Sequence, residues 1–322
     1  MDKQFILTLL NTKDIGKGTV RKLLDKSIKP SSTKDLIDYL EDLRAENKRV
    51  KVPTLDNLNI GEEKAEQILS LSENNSIRIL SVNDAQFPER YRRMPDGPVM
   101  IHVKGNLECL NEQTSVAIIG TREPSDYGVN IGKRYGQVFA EKKIAVISGL
   151  AKGCDTAGHE GCLAGNGTTI AILAGGLDKI YPKENTQLAD RILASGGALI
   201  SEYQIGTPAQ GNFFVERDRL QSGLSKALLV IETDIKGGSM HTVGFAQKQG
   251  VPVYFDYTRV AEENRMDFHK FQGNRDMIEG NKAKAIKNGS DLNELIDFII
   301  STPSNIGNGG IIDSHNNQMT MF

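Results

Sequence analysis

The sequence is short of cysteine, of long apolar runs and of net charge, and each shortage excludes a class of protein. Cys109, Cys154 and Cys162 are the only cysteines among 322 residues, and their spacing matches neither CxxC nor a metal quartet. A disulfide scaffold and a cysteine-held metal are therefore not expected, and sparse, odd-numbered cysteine suits a reducing cytoplasm. The opening "MDKQFILTLLNT" carries an apolar run too short for a signal-peptide core. No run approaches the roughly 20 apolar residues of a spanning helix, so a cytoplasmic chain without membrane partners is expected. The formal net charge of -2 offers a polyanion no overall attraction, so any nucleic-acid binding must rest on a local patch. Two phosphate-binding signatures are also missing: there is no GxxxxGK[ST], and "GTREPSDYG" is not GxGxxG. A P-loop triphosphatase and an ordinary dinucleotide dehydrogenase are thereby disfavoured.

What is present divides the chain into three stretches. Residues 1–80 read as a small helical domain, since "FILTLL", "KGTVRKLLDK", "STKDLIDYLEDLRAENK" and "EEKAEQILSLSEN" place apolar residues at three and four spacing. Ser32 and Thr33 offer an N-cap for the third helix. "DIGKGTVRKLL" and "LNIGEEKAEQIL" share an apolar residue, a glycine and a helix. That pattern fits either a helix-hairpin-helix or plain turns with φ > 0 at Gly16 and Gly61. Residues 81–300 read as a Rossmann-like domain with an N-terminal extension, in which two short strands between 77 and 112 flank a proline-bearing loop. From 114 to 255, "SVAIIG", "IAVISG", "TIAILAG", "GALISE", "ALLVIE" and "VPVYF" alternate with helices beginning near Ser125, Lys152, Lys183, Val215 and Ser239. Strands apolar throughout and separated by helices predict a mostly parallel sheet covered on both faces, a doubly wound α/β fold. Beyond 256 come a linker, the short helix "DLNELIDFII" and a Gly/Asn/Ser tail over 301–322.

In such a sheet the ligand crevice lies past the carboxyl ends of the strands. Those ends carry Gly120, Thr121 and Arg122; Ser148, Gly149 and Lys152; Gly175 and Gly176; Ser201 and Glu202; and Lys236, Gly237, Gly238 and Ser239. Small residues admit a ligand to the backbone, hydroxyls and helix-start N–H groups donate to phosphate, and Arg122 and Lys152 supply charge. The alternative for each glycine is a tight βα turn. "NFFVERDRLQSGLS" adds Arg217 and Arg219 beside Phe213 and Phe214, cations for phosphate and rings for base stacking. The alternative there is a solvated helix face over two core rings. Arg90, Arg92 and Arg93 read as a solvated loop or a second basic patch. His159 has Asp155 four residues before it, but no nucleophile accompanies the pair, so it reads as a structural histidine. His241 has no assigned role.

Together "ILSVNDAQFPERYRRMPDGPVMIHVKGNLECL", "VAIIGTREPSDYG", "VISGLAKGCDTAGHEGCLAGNGTTIAILAGGLDKIYPKEN", "GALISEY", "RDRLQSGLS" and "GGSMHTVGFAQKQG" resemble the DNA-processing protein DprA (Smf) family. The resemblance implies a Rossmann-like core that binds single-stranded DNA and loads a RecA-type recombinase in natural transformation, as a homodimer without cofactor, metal or turnover. It implies backbone contacts from Arg122, Lys152, Arg217 and Arg219, in a pocket shaped by Ser148, Gly149, Gly175, Gly176, Gly238, Ser239 and Thr242. There are departures: Lys152 stands where the family carries arginine, Asp218 for asparagine, Gln221 for an apolar residue and Val215 for proline. "FDYT" replaces a "PG", and the tail stands where many members carry a winged helix. The tail's "QMTMF" resembles the Q-x-x-L/M-F peptide that docks into a sliding clamp, with Gln318 to hydrogen-bond and Met321 and Phe322 to fill a pocket. Two other readings use the same crevice: a nucleotide phosphoribohydrolase, whose expected acid is missing from "GGSMHTVGFAQKQG", and a small-nucleotide sensor.

Overall fold

The computed structural model describes residues 2–26, 30, 32–111, 114–258 and 268–302. Four helices open the chain: α1 (Lys3–Asn11), α2 (Lys17–Asp25), α3 (Thr33–Glu46) and α4 (Leu55–Asn74). Ser32 caps α3 as its sequence predicts, its side chain accepting from the Asp35 N–H. Ile6, Leu9, Val20, Leu36, Leu40 and Ala65 form the core of this layer together with Ile79 and Met100 of the sheet. The expected boundary at residue 80 falls inside the first strand, Ile77–Ser81.

The helix-hairpin-helix expectation is corrected at its second glycine. Gly61 lies in the interior of α4, where it is buried rather than in a turn. Its use is close approach, because a Cβ there would sit 2.3 Å from Thr12 Oγ1 and 2.9 Å from the Thr8 carbonyl oxygen of α1. Nor does Gly16 need φ > 0, since it stands before α2 at φ -97. Gly61→Val is expected to destabilise the helical layer by about 1–3 kcal/mol through overpacking. Denaturant unfolding followed with hydrogen exchange in α1 reads this directly, and an unchanged α1 would mean that the two helices do not touch in solution.

One nine-stranded sheet follows, with strands β1 (Ile77–Ser81), β2 (Met100–Gly105), β3 (Ser115–Ile119), β4 (Ala145–Ser148), β5 (Thr169–Leu173), β6 (Ala198–Ser201), β7 (Leu228–Val230), β8 (Val253–Asp256) and β9 (Lys284–Ile286). Their spatial order is β1-β2-β6-β5-β4-β3-β7-β8-β9. The pairs β1–β2 and β2–β6 are antiparallel, and every other pair is parallel. Helices α6 (Asp126–Glu141), α7 (Cys154–Ala164), α8 (Thr186–Ala194), α9 (Gly211–Leu224) and α10 (Ser239–Lys248) make the crossovers.

The strands are apolar throughout because both faces are covered. Ala117 and Ile119 of β3 and Leu228 and Val230 of β7 pack with Leu220, Leu224 and Val243 of α9 and α10. The alternate residues, Val116, Ile118 and Leu229, pack with Tyr135 and Phe139 of α6 on the other face. The chain runs outward from β3 through β4, β5 and β6, then returns across β3 to β7. Strand order therefore reverses between β3 and β7, which is where a crevice must open.

Three elements differ from expectation. Strand β9 and the helix Gln272–Glu279 lie where a linker is predicted; β9 has only three residues with little alternation, so periodicity cannot reveal it. The loop carrying Arg90, Arg92 and Arg93 contains a short helix, α5 (Glu89–Arg93), anchored by the buried Tyr91. Its arginines are structural ties: Arg90 donates to the Gly223 and Ser225 carbonyls at the end of α9, and Arg92 to the Val82 and Asp84 carbonyls. Cations at a helix C-terminus also meet the negative end of its dipole.

Candidate functional site

A cavity of about 600 Å³ opens at the strand-order reversal. Its floor is Ile119 and Gly120; Thr121, Arg122 and Glu123 form one wall; Phe214, Arg217 and Asp218 of α9 form another; the loop from Thr233 to Ser239 leads into α10 with His241 and Thr242. A larger cavity, about 1100 Å³, lies at the sheet edge between α4 and β1. Size favours that one, but the smaller sits where strand carboxyl ends diverge and helices begin, so it is the candidate.

The glycines at the strand ends divide into two kinds. A Cβ on Gly120 would lie 2.5 Å from Cys154 Sγ and 2.9 Å from the Glu232 carbonyl oxygen. A Cβ on Gly149 would lie 2.2 Å from Arg217 Nη1, and one on Gly175 2.8 Å from the Ala209 amide nitrogen. Gly176 similarly crowds Gln204 and donates its N–H to the Thr207 carbonyl at 2.8 Å. These four are glycine because protein atoms approach them, which is the tight-turn alternative and not a ligand's need. Gly211 and Gly238 meet nothing within 4 Å and face the cavity.

The sequence-predicted cations also separate. Arg122 is exposed, its guanidinium 5.2 Å above the Phe214 ring, and no carboxylate pairs with it among the described residues. Tyr181, half exposed, has its ring centroid 5.5 Å from that of Phe214. Arg217, in contrast, is buried: it donates to the Gly149 carbonyl at 2.7 Å, to the Ile172 carbonyl, and to Asp218 Oδ1 at 3.2 Å. With its amide oxygen turned toward the guanidinium, Gln221 accepts from Arg217 at 3.0 and 3.2 Å. Thus the residue that departs from an apolar family position here completes an arginine's hydrogen bonds. Arg219 lies outside the cavity, in a bidentate pair with Glu202 at 2.8 and 3.0 Å, and Glu202 also binds Lys17 of α2 at 3.3 Å. Lys152 is outside as well, paired with Glu184 at 2.5 Å. Ser148 is buried and donates to the Ile118 carbonyl at 2.6 Å. Gly120, Thr121, Arg122, Arg217, Gly238, Ser239 and Thr242 are brought together at the cavity, whereas Ser148, Gly149, Lys152, Gly175, Gly176 and Arg219 are not. Gln318, Met321 and Phe322 lie outside the described residues.

Charges of both signs line the cavity. Glu123, Asp155, Asp218 and Asp234 face the cavity alongside Arg122, Arg217, Lys236 and Lys270, four acids against four permanent cations. Lys270 pairs with Glu123 at 3.1 Å, and Arg217 is held inside. That leaves Arg122 and Lys236 as the exposed cations without an ion-pair partner among the described residues. Burial pushes Asp155 up to about 6 against the pull of Arg217, while its Oδ2 accepts from the Gly149 and Ala151 N–H groups. Burial raises Asp218 likewise, again opposed by Arg217. Two helices start at the cavity, α9 at Gly211 and α10 at Ser239, with no side-chain cap and no acid in the first turn. Their N–H groups and dipoles add positive potential without a charged residue.

His159 stays apart from this chemistry. Its Nδ1 lies 2.6 Å from Thr169 Oγ1, not against Asp155, and burial holds it down at about 3, a neutral ring. Lys270 escaped the sequence reading because it follows no strand end, reaching the cavity from a turn beyond β8; Asp234 lies in the loop after β7, where a pattern of cations and small residues passes over an acid.

Comparison with known proteins agrees with this architecture. A family model described as DNA recombination-mediator protein A matches residues 78–297. Protein Smf of Synechocystis is 36% identical over 186 residues, 56% of this chain and 46% of that protein. DNA processing protein DprA of Bacillus subtilis is 32% identical over 191 residues, 59% of this chain and 64% of that one. The chain thus spans about half to two thirds of the length of these curated relatives. Among solved structures, Streptococcus pneumoniae DprA superposes with a TM-score of 0.63 at 27% identity, over 87% of this chain and 98% of that chain. Helicobacter pylori DprA, whose structure concerns a single-stranded DNA binding mode, gives 0.60 at 26% identity, over 70% and 95%.

Proposed function

This chain belongs to the DNA recombination-mediator protein A family, and from that membership we propose that it binds single-stranded DNA at the β3/β7 cavity, shields the exposed strand and hands it to a RecA-type recombinase. It does so as a binding protein without turnover. One observation carries the reading: Arg122 lies over Phe214, whose ring also neighbours Tyr181, beside a cavity into which two uncapped helices open. An arginine for the phosphate, rings for the bases and helix N-termini for further phosphates are the parts a single-strand binder needs. The same family membership supports a homodimer, and "QMTMF" supports a sliding-clamp contact on sequence alone.

Fluorescence anisotropy with a single-stranded oligonucleotide, its duplex and mononucleotides tests the proposal. Single strands should bind tightest, with log K falling linearly in log salt at a slope of roughly -0.7 per phosphate contacted. Preference for mononucleotides, or base release from them, would replace this reading with the nucleotide-sensor or phosphoribohydrolase one.

The acids predict a pH dependence. A carboxyl raised to about 6, as Asp155 is, carries full negative charge at about pH 8 and roughly half at pH 6. Asp218, raised by burial, moves in the same direction. Binding a polyanion favours their protonated forms, so affinity should rise severalfold as pH falls from about 8 to about 6 at fixed salt. Asp218→Asn should raise affinity at the upper end and flatten the profile; a profile rising with pH would contradict this charge account.

A further inference from the structure

In a sheet that reverses strand order, the first βα unit beside the reversal is the ordinary seat of a nucleotide phosphate. Its helix aims unbonded N–H groups and the positive end of its dipole at the anion. Here that unit is β3–α6, and the seat is already filled from within. Glu232, just past β7, is fully buried, and its carboxylate lies across the start of α6. One oxygen accepts the Ser125 backbone N–H at 2.8 Å and the other the Ser125 hydroxyl at 2.7 Å. Gly128, in the first turn, makes the room: a Cβ there would lie 2.3 Å from Glu232 Oε2 and 2.6 Å from its carboxyl carbon. Two oxygens and a negative charge at the positive end of a helix reproduce what a phosphate would supply. At α7 the same role falls to Asp155 of the helix's own first turn. Only α9 and α10, of the four helices that start around the reversal, begin with neither a cap nor an acid.

We propose that Glu232 is a specificity-determining residue: a built-in anion that occupies the mononucleotide-phosphate seat of the β3–α6 unit and excludes the phosphate of a single nucleotide from it. Incoming phosphates are left with the cavity between α9 and α10, where a chain can pass with its bases on Phe214. The second half of this statement rests on the DNA-binding reading above; the closure of the seat does not. It also accounts for a Rossmann-like core with no dinucleotide fingerprint, since the turn after β3 has no phosphate to wrap.

The test titrates inorganic phosphate, then adenosine monophosphate, into the ¹⁵N-labelled full chain and follows the amides of Ser125, Asp126, Tyr127 and Gly128. In the wild type these four should not move, while Gly211 and Ser239 respond. In Glu232→Ala, which empties the seat, the same four should shift along a saturating curve. Glu232→Gln keeps the seat sterically filled and should leave them still. The proposal is overturned if the four amides respond in the wild type or in E232Q, or if folded E232A shows no response. Should E232A fail to fold, the wild-type and E232Q titrations decide alone. Parallel anisotropy with an oligothymidine separates the two claims: a wild type that binds no single strand, with its α6 amides silent, sinks the DNA reading and leaves the closed seat standing.

Discussion

Replacing Arg122 by alanine is expected to weaken single-strand binding by roughly 1–3 kcal/mol, about five- to 160-fold, and to reduce the salt slope by about 0.7. The unfolding midpoint should stay where it is. The physical basis is that the Arg122 guanidinium is exposed, bonds to no described carboxylate and rests on the Phe214 ring, so its removal leaves no buried group unsatisfied. Charge and stacking are lost together. Phe214→Ala should cost a similar roughly 1–3 kcal/mol, but with the salt slope unchanged, because in the proposed mode the uncharged ring stacks on bases and pairs with no phosphate. Lys152→Ala is the control: its ammonium is spent on Glu184 in an exposed pair outside the cavity, worth under about 1 kcal/mol to anything. If Lys152→Ala abolished binding while Arg122→Ala left it intact, the strand would have to run over α8, and the cavity assignment would be wrong.

The second large effect concerns the fold. Arg217→Ala should destabilise the protein by about 3–5 kcal/mol, a large share of the 5–15 kcal/mol that holds a domain together. The guanidinium ties the ends of β4 and β5 through the Gly149 and Ile172 carbonyls and is the countercharge for Asp218 and Asp155. Without it Asp155 and Asp218 lose their countercharge, and the Gly149 and Ile172 carbonyls lose the donor they share. Arg217→Lys should rescue little, because one ammonium cannot span acceptors that a planar fork reaches at once. Thermal unfolding of the two variants, measured beside Arg122→Ala, distinguishes a strut from a ligand contact. A normal midpoint with binding lost would return Arg217 to the DNA.

This pair of arginines shows how far the sequence could be read. Both follow the family pattern and both belong to segments past strand ends, and nothing in their spacing separates them. What distinguishes them is the company each keeps: Gly149 leaves room for Arg217 to enter the core, whereas Arg122 leaves β3 on a turn, exposed, and pairs with no carboxylate among the described residues. The glycines behave the same way. A ligand and a neighbouring backbone both require a missing Cβ, so the letter G after a strand is silent about which one is there.

The alternation of apolar strands and amphipathic helices was enough to specify a mostly parallel, doubly covered sheet. That pattern is local: it depends on side chains repeating every two or three to four residues along one stretch of chain, and each stretch carries it independently. The crevice past the strand ends followed from the same information, because strand direction fixes which end of each strand meets a helix start. The charge of that crevice did not follow. Glu123, Asp155, Asp218 and Asp234 meet Arg122, Arg217, Lys236 and Lys270 only after β3, β4, β7 and two helices are stacked side by side. Electrostatic potential is a sum over neighbours in space, and folding, not sequence order, decides who the neighbours are.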